Sequence, residues 1–294
     1  MTPLRRVLAA VDFSEGSRVA LAFAARLATQ THAQLHVLHA VDPLLAALGG
    51  DDGPRFRSDV REELQRHVSS VTTTPVDACC YHVVDGLAST VIVNIAMRER
   101  ANVVVLGTRG LSNLEWPALG STLENVLRRT STSLIAVPPT WTPPQMGGTD
   151  LSGTGPIIAA VNVTCPALSG AIEACRLAAS LETEAILLHV VSPPQTAPRW
   201  QALASAAADT QLDIARQDIE GATTLIRAQS PVRTTLVVEQ GDVARVIARA
   251  ARQHPDGLVV LGRGNAPYPY APPGSIVART LILGGLPVLM HIEP

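Results

Sequence analysis

Along the chain, short apolar runs alternate with segments in which apolar residues recur every three or four positions. Leu4 to Val11 and Leu35 to Val41 are nearly continuous apolar runs, as expected of strands covered on both faces. Between them Ser14 is placed to cap a helix, and Val19, Phe23 and Leu27 then repeat every fourth residue to form one apolar stripe. A polar helix is expected over Ser58 to Ser70 and a third strand near Val76 to Val84. Asp85 is read as the cap of a helix whose Val91, Ile92, Ile95 and Ala96 share a face. Val103 to Leu106, a helix-like Thr122 to Thr130 and Leu134 to Val137 complete a five-strand alternation. Strand–helix alternation predicts a parallel sheet with right-handed crossovers, helices on both faces and a ligand site outside the carboxyl ends of the strands. The irregular stretch Asp42 to Pro54 reads as a surface connection, with a flap over that edge as the alternative.

The pattern then repeats at an offset of roughly 150 residues. Val7 to Asp12 matches Ile157 to Asn162, and Leu35 to Val41 matches Ala185 to Val191. Val104 to Gly107 matches Val259 to Gly262, and Ser133 to Val137 matches Leu286 to Met290. The fold class expected is therefore α/β, with two repeated doubly wound domains, each a five-stranded parallel sheet. The domains are placed at 1–139 and 156–294. The intervening 140–155 is rich in proline, glycine and threonine and reads as a linker.

Composition narrows the chemistry. With 47% hydrophobic and 16% charged residues the chain is globular, and with 3% aromatics its cores must be built from Ala, Val, Leu and Ile. A net charge of −2 gives no basic footprint for nucleic acid. No apolar run suits a membrane span and no signal pattern opens the chain, so a cytoplasmic location is expected. All 23 basic residues are arginine. Without lysine there can be no Walker-type loop, no pyridoxal Schiff base and no kinase-type lysine. Cys79, Cys80, Cys165 and Cys175 form no C-x-x-C pair and read as small hydrophobes. The spacing of His36 and His39, and the lone His189, suit no zinc site, and His39 and His189 read as satisfied imidazoles at the core or cleft edge. No metal ligands and no catalytic residues are assigned.

The sharpest local signal is Gly107-Thr108-Arg109-Gly110, followed after nine residues by Gly120-Ser121-Thr122. A buried strand that opens into a glycine loop and then a helix start can hold phosphate. The backbone approaches the anion closely, and the first N–H groups of the helix carry roughly half a positive charge. Turn glycines needing positive φ are the plain alternative, but the serine–threonine pair at the helix start favours phosphate.

Taken in register, Val11-Asp12-Phe13-Ser14, Leu38 to Asp42 and the Gly107–Gly110…Gly120–Ser121 loop resemble the universal stress protein family. Over nearly the whole chain the arrangement is similar to its tandem form. The resemblance implies a five-stranded parallel (adenine nucleotide alpha hydrolase-like, Rossmann-like) fold and, as in the nucleotide-binding members, ATP at the carboxyl edge of the sheet. It leaves open AMP or ADP in that place, and an accompanying Mg2+. It puts Asp12 and the preceding backbone from Ala10 beside base and ribose, and the Val41 backbone at the adenine edge. Gly107 and Gly110 would approach the ribose and α-phosphate. Gly120, Ser121 and Thr122 would cradle the outer phosphates, with Arg109 adding a charge-assisted bond.

The second half departs from that pattern. Asn162 replaces the carboxylate, and the loop shortens to Gly262-Arg263-Gly264. Four prolines lie in the nine residues before Gly274-Ser275. With Val191 at the adenine position, this reads as a weaker, degenerate site. The resemblance implies a non-catalytic stress-response regulator that binds an adenine nucleotide and an unidentified protein partner. Its two domains would pair within the chain through Leu134–Val137 and Val288–Ile292, with a homodimer possible and neither nucleic acid nor membrane as partner. A slow ATPase with Asp12 or Asp42 organising Mg2+, and a scaffold or apolar-ligand module that has lost nucleotide binding, remain as alternatives.

Overall fold

The computed structural model describes residues 4–48, 53–73, 75, 78–110, 119–142, 155–162, 165–192, 199, 208–230, 232–263 and 276–293. Most of the expected linker (143–154) lies outside the described residues, as do Gly264, Gly274 and Ser275. The chain forms two compact units, Thr2–Pro143 and Pro144–Glu293. No helix among the described residues is long and apolar enough to cross a membrane.

The first unit runs β1 (Arg6–Ala10), α1 (Glu15–Gln30), β2 (Gln34–Val41), α2 (Pro43–Leu48), α3 (Gly53–Val71), β3 (Cys80–Asp85), α4 (Ala88–Arg98), β4 (Val103–Gly107), α5 (Ser121–Arg129) and β5 (Ser133–Val137). Its strands lie in the order β3-β2-β1-β4-β5, all parallel. Helices α1 and α3 pack together on the sheet, and α4 and α5 form a second pair. Val7, Leu8 and Ala9 are at most 1% exposed, which is why this run carries no polar alternation. The strand order reverses between β1 and β4, since β2 follows on one side and β5 on the other. A crevice therefore opens at their carboxyl ends.

The second unit repeats the plan with β6 (Ile157–Val161), α6 (Cys165–Ser180), β7 (Ala185–Val191), α7 (Ala208–Gln229), β8 (Thr234–Gln240), α8 (Val243–Gln253), β9 (Leu258–Arg263), α9 (Ile276–Gly284) and β10 (Val288–Ile292). The order is β8-β7-β6-β9-β10, again parallel. Both units are thus doubly wound Rossmann-like α/β domains.

Several local expectations shift. The stretch after β2 is not irregular throughout, because α2 begins at Pro43, where the Asp42 carboxylate accepts the Leu44 N–H at 2.8 Å. β3 runs from Cys80, just after the Ala78 N–H that donates to Pro75 C=O, while Val76 and Asp77 of the expected strand lie outside the described residues. Asp85 is not a cap. It ends β3 and pairs with Arg57 at 2.6 Å, while the N-cap of α4 is Leu87, which has no capping side chain. Asp242, by contrast, does cap α8 through the Arg245 N–H. The two aspartates lie on opposite sides of equivalent left-handed glycines, Gly86 and Gly241, so they are two residues out of register.

Candidate functional site

The crevice at the β1/β4 switch point holds a cavity of about 300 Å³, lined from β1 by Ala10, Val11 and Asp12 and from β4 by Leu106 and Gly107. That volume lies at the lower end of the roughly 300–1,000 Å³ usual for small-molecule sites. Its apolar lining includes Leu38 and Ala40 from β2 and Ala88 and Ile92 from α4. Gly110, Gly120, Ser121, Thr122 and Leu123 line it as well, together with Ser17 and Arg109.

The local chain path explains the polar part of this lining. Ser14 caps α1 by accepting the Ser17 N–H, and its own N–H donates to Asp12 Oδ1 at 3.0 Å. The Ser14 hydroxyl also donates to that oxygen, and the Asp12 N–H reaches Ser17 Oγ at 3.3 Å. Phe13 sits between at φ 62, a left-handed conformation that costs a bulky residue on the order of 1 kcal/mol. Its ring is held against His39 and His67, at centroid distances of 4.8 and 5.5 Å. This reversal aims Asp12 across the crevice, and a methyl at Gly110 would lie 2.5 Å from Asp12 Oδ2.

Gly107, Gly110 and Gly120 are not the positive-φ turn residues of the plain reading, since only Gly86, Gly241 and Gly285 among the described glycines have positive φ. They permit close approach instead. A Cβ on Gly107 would fall 2.7 Å from the Gly16 carbonyl, and one on Gly16 would strike the Arg109 carbonyl. Gly16, missed in the sequence, is the floor on which the loop rests.

At the far end of the loop, Thr108 N–H donates to Val137 C=O and Thr108 C=O accepts the Gly120 N–H, both at 2.9 Å. A methyl on Gly120 would lie 3.8 Å from Gly110 N, so the bends at 110 and 120 lie close together. The Gly120 amide is therefore spent on the loop itself. The amides that open α5 are those of Ser121, Thr122 and Leu123, and no side chain caps this helix. Such an end favours an anion, although Glu124 in the same turn offsets part of that field.

Val41 does not line the cavity. Its side chain is buried and its carbonyl accepts the Gly86 N–H at 2.9 Å, while Leu38 and Ala40 face the space. Asp42, engaged with Leu44, is likewise away from the lining. His39 donates through Nδ1 to the Val11 carbonyl at 2.8 Å, and His189 does the same to Val161, as expected of satisfied imidazoles. In the second unit Asn162 is exposed at the end of β6, and the Val191 carbonyl accepts the Gly241 N–H. Gly262 rests on Gly170, one turn further along α6 than the equivalent contact on α1. The rest of that loop, with Gly264, Gly274 and Ser275, is outside the described residues.

A family model described as the universal stress protein family matches residues 3–138 and again 156–270. The chain is 24% identical over 142 residues to "Universal stress protein A homolog 1" of Coxiella burnetii, covering 45% of this chain and 95% of that protein. A universal stress protein from Archaeoglobus fulgidus is similar in structure over 100% of both chains, with a TM-score of 0.65 and 16% identity. The functionally unknown protein PA1789 from Pseudomonas aeruginosa gives a TM-score of 0.57 at 15% identity, covering 98% of this chain and 92% of that one. At these identities the structural likeness speaks for the fold.

Proposed function

The chain belongs to the universal stress protein family, with the family domain present twice, and on that footing we propose that its first unit binds an adenine nucleotide, ATP or its di- or monophosphate, as a non-catalytic regulator of the stress response. The observation that carries this reading is that one cavity gathers apolar side chains of β2 and α4 and the glycine-lined start of α5. The apolar lining of Leu38, Ala40, Ala88 and Ile92 suits a flat heterocycle. The start of α5, with the Ser121 and Thr122 hydroxyls and Arg109 beside it, suits phosphates. Asp12 lines the same cavity, and a ribose hydroxyl would satisfy its carboxylate where a phosphate would be repelled. Any Mg2+ would be held mainly by the phosphates, with Asp12 the carboxylate within the lining.

Among the described residues of the lining, the charged ones are Asp12 and Arg109. Asp12 Oδ1 already takes two bonds from Ser14, which leaves it poorly placed as a general base. Occupancy would join β4, α5 and α1 through one ligand and change the surface they present to a protein partner. For the second unit we assign a degenerate site, on the grounds of Asn162 and the proline-rich loop sequence.

Mass analysis of the small molecules released by denaturing freshly purified protein tests the reading, together with thermal shifts by ATP, ADP and AMP. Adenine nucleotide in the extract, or a saturable shift abolished by Ala40→Trp in the apolar lining, supports it. An empty extract and no shift at millimolar nucleotide would overturn it.

A further inference from the structure

On the sheet of the first unit, His36 from β2, His82 from β3 and Glu99 at the C-cap of α4 bring their ligand atoms within 4.8 Å of one another. We propose that these three side chains form a binding site for one divalent transition-metal ion of the zinc class, distinct from the nucleotide cavity. None of the three lines that cavity.

The two rings form a hydrogen-bonded relay. His36 Nδ1 and His82 Nε2 are 3.0 Å apart, and the rings are inclined by only 9° with centroids 5.3 Å apart. Such a centroid distance at that N···N separation requires nearly coplanar rings meeting edge to edge, with one proton between them. Gln34 Oε1 lies 3.2 Å from His36 Nε2, which makes that nitrogen the donor. Arg98 stands 3.4 Å from His82 Nδ1 and fixes that nitrogen as the acceptor. The proton in the shared bond therefore belongs to His82 Nε2, and both rings are neutral.

A metal ion replaces that proton. Zn–N bonds of about 2.0–2.1 Å at a tetrahedral angle separate two ring nitrogens by roughly 3.3 Å. The pair must open by only a few tenths of an ångström, but the rings must also turn so that their lone pairs converge. His36 is buried and already oriented by Gln34, the outer hydrogen bond that metal-bound imidazoles ordinarily make. His82 is only half-buried on the edge strand β3 and is the ring that turns, its proton moving to Nδ1. Glu99 supplies the carboxylate, and solvent completes the shell. Two imidazoles and a single carboxylate favour Zn2+, Co2+ or Ni2+ over Mg2+ and Ca2+, which demand more oxygen.

The competitor is Arg98. Its guanidinium pairs with Glu99 at 2.8 Å and faces His82 Nδ1, so it occupies the carboxylate and opposes a second cation. Arg6 is nearby as well, bonded to the Glu99 carbonyl. The site is thus gated by one arginine, and the gate separates a metal site from a permanent relay.

Titration of the full chain with Co2+, followed by visible absorption and calorimetry, tests the proposal. The expected result is one saturable site with the intense visible bands of low-coordinate cobalt, displaced by Zn2+ and not by Mg2+. His82→Asn should weaken it at least a hundredfold and Glu99→Gln about tenfold, whereas Arg98→Ala should tighten it about tenfold. Circular dichroism verifies that each variant is folded, and Glu99→Gln, at a surface cap, keeps the test sound if the histidine variant is not. Absence of a saturable site in both the wild type and Arg98→Ala overturns the proposal, as does binding indifferent to Glu99→Gln and His82→Asn.

Discussion

A carboxylate introduced at the first residue of α5 should move stability and ligand binding in opposite directions. Ser121 is exposed, and its helix begins without a capping side chain. Ser121→Asp places a negative charge where the helix dipole favours it, adding about 0.3–1 kcal/mol to the free protein. The same charge stands against the proposed phosphates. At about 5 Å and an effective dielectric near 20, two unit charges repel by about 3 kcal/mol, which screening at an exposed position lowers to about 2. That corresponds to roughly thirtyfold weaker binding. At a nucleotide concentration of about a hundred times the wild-type Kd, stabilisation of about 2.7 kcal/mol would fall to about 0.9. For a domain of this size the thermal shift should shrink from about 8 °C to about 3 °C. Differential scanning fluorimetry with and without ATP reads both effects. A variant that melts higher than wild type yet shifts just as far with ATP would refute the placement of phosphate at this helix.

Other consequences can be checked independently. Gly107→Ala should cost about 1–3 kcal/mol, because its methyl meets the Gly16 carbonyl backbone rather than a side chain that can move; a urea midpoint equal to wild type would remove that contact from the account. Ser14→Ala should lose about 1 kcal/mol as a helix cap and also release Asp12 Oδ1, so nucleotide affinity should fall with stability; a stability loss with unchanged affinity would detach Asp12 from the site. His67, lowered chiefly by burial and then by Arg18, and His291, lowered by burial against the pull of Glu293, are both depressed. Their contribution is therefore complete above the unfolded value of about 6.5 and is lost as pH falls through their folded values, so Tm should drop from pH 7.5 to 5.5. Glu173, raised by burial, has the opposite sign and gives stability that is lost as pH rises through its folded value. His291→Gln keeps a partner for Ser169 and should flatten the acid side of the profile; an unchanged slope would assign it to other groups.

The strands, α1 with its Ser14 cap, the duplication and the glycine loop were legible because each rests on neighbours along the chain. An apolar run buried on both faces, or a helix opened by a capping serine, needs no distant residue to be recognised. Where the reading failed, the deciding partner lay far away in sequence. Asp85 looked like a cap, but the left-handed Gly86 carries the chain past it, and Leu87 opens the helix while Arg57 takes the carboxylate. The Val41 backbone is expected at the adenine edge; its carbonyl is held by Gly86, far from it in sequence, and Leu38 and Ala40 line the cavity. His36 and His39, weighed along one strand, suggested no ligand set; His36 gains its meaning from His82, one strand away.

The amino-acid order alone therefore determined two α/β repeats, the edge of the sheet where a ligand would sit and the loop that would touch it, because hydrophobic period and backbone freedom are local properties. Packing decided which glycines are needed for close approach, which amides open α5 and which side chains give the cavity its apolar lining. Those depend on how β1, β2, β4 and α4 converge, and a crossover fold brings them together from positions up to a hundred residues apart.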